Sequence, residues 1–154
     1  MVQTLIQSPG TGSGAHVFRM SDEQYRFYWP SIERELDKVP HIWRPFFTKE
    51  YLRDIPLHQE LYVWEAGIEG AMTIVIFAQF IQTPRGNGLS FKLALGNGLD
   101  ECLPQLEATF EHLAQVMGCD FVEIYGRPGW LRKLSGFKRD YVVLSRQLRN
   151  FRVQ

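Results

Sequence analysis

The chain has 154 residues, 45% of them hydrophobic and 14% aromatic, which is enough for one hydrophobic core and too apolar for general disorder. Seventeen Lys and Arg balance seventeen Asp and Glu, so the total charge offers no bulk attraction to DNA or to an anionic membrane. No apolar run nears the roughly 20 residues of a membrane span, and the start lacks a charged-then-apolar leader, so the expectation is a soluble, cytoplasmic protein.

Ser8 to His16 is rich in Gly, Ser and Thr, but it lacks the Lys-Ser/Thr of a phosphate-binding loop and no apolar strand leads into it. Residues 1–15 therefore read as a flexible arm, and 16–154 as a single domain. A short strand follows at His16–Met20. Ser21 and Gln24 have the spacing of a capping box. Tyr25, Trp29, Ile32, Leu36 and Val39 continue at helical spacing, with a break or kink expected at Pro30. Pro40–Phe47 is a connection dense in aromatics, where His41, Trp43, Arg44 and Phe46 serve packing, a substrate wall or a partner contact. Thr48 caps a second short helix that ends near Pro56.

From Glu60 the period changes to that of strands. "ELYVWEAG" and the longer, β-branched "GAMTIVIFAQFIQT" are followed by the turn signal "PRGNG" and the alternating "LSFKLALG". Leu103, Leu106, Phe110, Leu113, Ala114 and Met117 form one helix stripe, with Pro104 suiting the first turn and Gly118 the end. A strand at "DFVEIYG", a short helix at "RPGWLRKLSG" and a last strand at "FKRDYVVLSRQL" complete the chain. The order is that of an α/β domain, a mixed and mostly antiparallel sheet with helices on both faces.

Local chemistry is less specific. Cys102 and Cys119 sit at opposite ends of a helix, roughly 25 Å apart at 1.5 Å per residue, too far for a disulfide. His16, His41, His58 and His112 show no metal spacing, so no metal site is expected. Charges are acidic from Leu99 to Glu123 and mostly basic from Arg127 onward. In "YGRPGWLRKLSGF", Trp130, Leu131 and Leu134 make an apolar face, while Arg127, Arg132 and Lys133 either meet water or reach a phosphate. That segment lacks the aromatic interleaving of a nucleic-acid surface.

The element order, together with "CDFVEIYGRPGWLRKLSGFKRDYVVLSRQL" and its Gly136-Phe137 pair, resembles the GNAT family of N-acetyltransferases from about His16 to Leu148. The resemblance implies acetyl-CoA or another acyl-CoA as cofactor and an amine as acceptor. The pyrophosphate would sit where the fourth strand meets its helix, at Leu93, Leu95, Gly96, Asn97, Gly98 and Leu99, with Arg127 and Arg132 toward the adenosine phosphate. That loop matches the family's Gln/Arg-x-x-Gly-x-Gly/Ala at Gly96 and Gly98 but carries Leu93 where Gln or Arg is expected. Asp100 and Glu101 follow, where like charge would oppose an anion. Glu65 or Glu69 is a candidate base and Tyr125 a candidate proton donor. The family's tyrosine position itself falls on Arg132. The "GRxGW" segment and the altered loop also resemble GNAT-like proteins encoded by tailed phages. This leaves open a second reading without cofactor, a catalytically silent virion or head-assembly protein that contacts other phage structural proteins or copies of itself.

Overall fold

A computed structural model describes residues 14–69, 71–126, 134, 136–140, 144 and 146. Strand β1 (Ala15–Arg19) buries Val17, and Met20 leads from it into the first helix. Ser21 Oγ accepts the Gln24 N–H at 3.1 Å, and Gln24 Oε1 accepts the Ser21 N–H at 2.9 Å. The capping box read from the sequence thus satisfies two donors that a first turn leaves orphaned. Of the break or kink expected at Pro30, the break is absent: helix α1 (Asp22–Lys38) continues through it. Buried Tyr25 lies before the proline and buried Ile32 and Leu36 after it, so packing holds both halves against the sheet. Pro30 itself is exposed, and the bond it forgoes lies toward water.

The aromatic connection contains a one-turn helix, α2 (Pro40–Trp43), whose Trp43 turns inward and donates from Nε1 to the Leu36 carbonyl at 2.8 Å. Thr48 Oγ1 then accepts the Tyr51 N–H at 3.1 Å and starts α3 (Lys49–Arg53). The helix expected to reach Pro56 divides here. Pro56 sits in the first turn of a separate α4 (Ile55–His58), a position that needs no N–H from it.

Strands β2 (Tyr62–Ile68), β3 (Ala71–Thr83) and β4 (Gly86–Gly96) form an antiparallel meander. Helix α5 (Leu99–Val116) crosses to β5 (Phe121–Ile124), which pairs parallel with β4. The described sheet has the order β1-β2-β3-β4-β5. Pro104 falls inside α5 rather than in its first turn, because the helix begins a turn earlier, where Leu99 already packs on the core.

The sheet separates two cores. On one face Trp64, Ile76 and Leu89 meet Phe110 and Leu113 of α5. On the other Val63, Phe77, Leu93 and Leu95 meet Tyr25 and Leu36 of α1, with Leu52 of α3. Helices therefore cover both faces, as a mixed α/β sheet requires when neither face is polar. The last helix and strand expected beyond Arg127 fall largely outside the described residues. Among those described there, Leu134 is buried and Asp140 Oδ2 accepts from Arg85 Nη1 at 2.8 Å.

Candidate functional site

Strand β4 changes its surroundings halfway along. Gly88 to Phe91 pair with Phe121 to Ile124 of β5, and the Tyr125 N–H closes this ladder on the Phe91 carbonyl at 3.0 Å. From Lys92 to Gly96 the strand pairs, among the described residues, with β3 alone. The register locates the cause. Ala78 faces Phe91 and Phe77 faces Leu93, so Lys92 is an extra residue in β4. Such a bulge bends its strand and increases its twist, which carries β4 away from β5. A second extra residue, Thr73 in β3, lies in the neighbouring β2–β3 ladder, between the Ala66–Ile74 and Gly67–Met72 pairs.

The bulge also reorients side chains. Leu89, Phe91, Leu93 and Leu95 alternate in the sequence as if they shared one face. In the fold Leu89 and Phe91 face α5, whereas Leu93 and Leu95 face α1. Ala94 takes over the α5 face. The only trace in the sequence is that "LALG" is apolar at consecutive positions, as a strand covered on both faces is.

Where the strands part, a cleft of about 920 Å³ opens between β4, β5 and α5 and reaches α1 and α2. Its walls are mainly apolar, with Ala94 and Leu95 from β4, Leu103 and Phe110 from α5, and Val122 and Ile124 from β5. Its size is within the range of small-molecule sites, roughly 300–1,000 Å³. Half of the backbone groups of a one-sided strand point away from its partner, so Lys92–Gly96 present a row of amides and carbonyls along this cleft.

One end of the cleft is the turn from β4 into α5. Gly96 has φ of 111°, and a Cβ there would come within 2.0 Å of the Thr73 carbonyl oxygen. The Asn97 N–H donates to that same oxygen at 3.1 Å, which ties the strand end down. Gly98 caps α5 in a left-handed conformation and supplies no side-chain cap. The N-terminus of an 18-residue helix thus opens at the cleft with N–H groups suited to an anion. Asp100 and Glu101 lie in its first turn, and Glu101 Oε2 would be 2.9 Å from a Cβ on Gly98, so this carboxylate folds back over the turn.

The other end is polar and aromatic. Lys92 Nζ stands 4.1 Å from the centre of the Tyr125 ring, and Phe46 packs edge-on against that ring at 5.5 Å. Burial holds the Lys92 ammonium below the usual lysine range, with the charge of Glu123 acting the opposite way. Glu123, two residues before Tyr125 and hence on the same face of β5, accepts from Ser90 Oγ at 3.0 Å. Its other oxygen lies 3.6 Å from Arg85 Nη2, and its side chain is only 18% exposed. Arg85 bridges on to Asp140 and covers the Phe121 ring at 4.2 Å.

The candidates from the sequence are placed as follows. Leu93, Leu95, Gly96, Asn97 and Leu99 line the cleft, Gly98 caps the helix at its end, and Tyr125 lines it at the opposite end. Glu65 lies on β2, away from the cleft walls, with its Oε1 3.9 Å from His16 Nε2. Glu69 sits in the turn after β2, its N–H donating to the Gly14 carbonyl at 3.0 Å. Arg127, Arg132 and Lys133 lie outside the described residues. His41 lines the cleft. Lys92 and Glu123 were not singled out in the sequence, because only the β4–β5 register brings them together. Among the described residues no three or more His, Cys, Asp or Glu are grouped to hold a metal ion, and no helix is long and apolar enough to cross a membrane.

No family model and no curated protein matches the chain by sequence. Solved structures do match its shape. It is similar to a GNAT family acetyltransferase of Staphylococcus aureus subsp. aureus USA300_TCH1516, with a TM-score of 0.61 at 10% identity over 88% of this chain and 99% of that one. It is similar to the aminoglycoside acetyltransferase meta-AAC0020 from an uncultured soil metagenomic sample, in complex with sisomicin, with a TM-score of 0.64 at 11% identity over 91% of this chain and 100% of that one. A third likeness is to AAC(6')-Iy in complex with the bisubstrate analog CoA-S-monomethyl-acetylneamine, with a TM-score of 0.58 at 12% identity over 87% of this chain and 98% of that one. The chain has the GNAT acetyltransferase fold.

Proposed function

We propose that this chain transfers an acyl group from acyl-CoA to an amine. The observation that carries the reading is the parting of β4 from β5 at Lys92, which leaves a one-sided strand edge along an apolar cleft that ends at a helix N-terminus. An amide-containing arm can pair with the exposed edge of Lys92–Gly96 as an added strand would. Its pyrophosphate would meet the N–H groups of Gly98 to Cys102 at the head of α5. The solved complex of a similar fold with a CoA-containing analog supports the same assignment.

The acceptor amine would enter from the side of Tyr125, Phe46 and His41. Glu123 lies close enough to Lys92 for its charge to act on that amine, and its bond from Ser90 and proximity to Arg85 fix its orientation. In this reading it draws the proton from the acceptor ammonium, directly or through one water. The neutral amine attacks the thioester carbonyl, the carbon–sulfur bond breaks, and the Tyr125 hydroxyl supplies a proton to the departing thiolate. The alternative of a phage assembly protein gains no support from the similar structures described above.

The test is calorimetric titration with acetyl-CoA and with CoA. Saturable heat at micromolar ligand is expected. Glu101→Gln, which removes a negative charge from the helix end, should tighten binding about two- to fivefold. Absence of heat up to millimolar ligand would overturn the reading.

A further inference from the structure

Lys92 differs from every other described lysine in what surrounds its amine. It is the extra residue of the bulge, and it lines the cleft at the point where β4 and β5 part. Its Nζ sits over the Tyr125 ring, and no carboxylate among the described residues lies within ion-pair distance of it. Lys38 also lines the cleft, but its Nζ is held by Glu35 at 2.9 Å. Lys49 is bonded to Asp37, which keeps it charged. Lys138 is exposed. Burial lowers the Lys92 pKa, so a larger share of this amine is neutral, and therefore nucleophilic, than of an exposed lysine at the same pH.

We propose that Lys92 is itself an acyl acceptor, modified in the cleft by the acyl-CoA bound beside it. The proposal rests on the acyl-CoA reading above and adds a site of covalent modification to it. The lone pair of neutral Nζ attacks the thioester carbonyl carbon, and a carbon–nitrogen bond forms as the carbon–sulfur bond breaks. The proton that nitrogen loses goes to the departing thiolate, so one lysine amine and one acyl-CoA give one amide and free CoA. The product is neutral and fills the end of the cleft beside Tyr125, so each modified molecule has lost both a cation and acceptor space.

The experiment incubates the full chain with acetyl-CoA, counts acetyl groups by intact mass and maps them over Lys38, Lys49, Lys92, Lys133 and Lys138. CoA binding is titrated on the same preparation. A single acetyl group on Lys92, added about a hundredfold faster than on the other lysines, is the expected result, since a bound donor acts at high effective concentration. Lys92→Arg should bind CoA and take up no acetyl group at that rate, and urea should abolish the preference in the wild type. CoA binding with Lys92 left unmodified, or modified no faster than the others, overturns this proposal alone. Absence of CoA binding overturns the acyl-CoA reading and this proposal with it.

Discussion

Strand β4 has a neighbour on each side over Gly88–Phe91 and on one side only, among the described residues, over Lys92–Gly96. In the first half Leu89 is fully buried under α5, and Ser90 reaches across to Glu123. In the second half Lys92 and Ala94 are half-buried along an open cleft. Neither half contains a β-branched residue, so propensity does not account for the difference. One added residue does, because it bends the strand away just where its pairing with β5 ends. The first half is packed on both sides, and the second borders the open cleft.

Three substitutions bear on that division. Leu89→Ala should have the largest effect, a loss of about 3 kcal/mol in a urea melt, because a buried leucine leaves a cavity that strands held on both sides close poorly. A loss below about 1 kcal/mol would place the stabilising half elsewhere. Ala94→Phe projects a ring into the cleft and should weaken CoA binding tenfold or more, about 1.4 kcal/mol, with a much smaller change in melting. Equal damage to folding and binding would erase the distinction between the halves. The smallest effect belongs to Lys92→Met. The folded pKa of Lys92 lies below the unfolded one, so between the two values the unfolded chain binds more protons and stability rises with pH. The methionine variant should therefore melt slightly higher than wild type at neutral pH, and the gap should close as pH climbs toward the ordinary lysine value. A gap that does not change with pH would mean that Lys92 is well solvated when folded.

What the sequence disclosed was set by range. Ser21 with Gln24 and Thr48 with Tyr51 act over three residues, and both pairs are visible as spacing alone. The strands and the α5 stripe are visible for the same reason. Pro30 does not end the helix because a proline's local cost is fixed, whereas the packing of Tyr25 and Leu36 that outweighs it depends on the whole domain. The candidate site divided along similar lines. The Gly96–Gly98 turn is legible, since left-handed backbone selects glycine. Lys92 and Glu123 are 31 positions apart in the chain and meet only through the register of a parallel pair, which no window of sequence contains. A regular reading of "LSFKLALG" also assigns Leu93 and Leu95 to the face of Leu89, the opposite of where they lie.

The bulge has a further consequence for how such a chain changes over generations. Ala78 pairs with Phe91 and Phe77 with Leu93, so removing Lys92 would leave every β3–β4 partner opposite the same residue and every neighbouring side chain on its present face. Both cores would keep their residues, and only the bend would go. A straight β4 would then stay nearer Tyr125 and Gly126, and the slot beside Lys92 would narrow. A sheet with an open slot and one with a narrower slot are, at this position, a single codon apart.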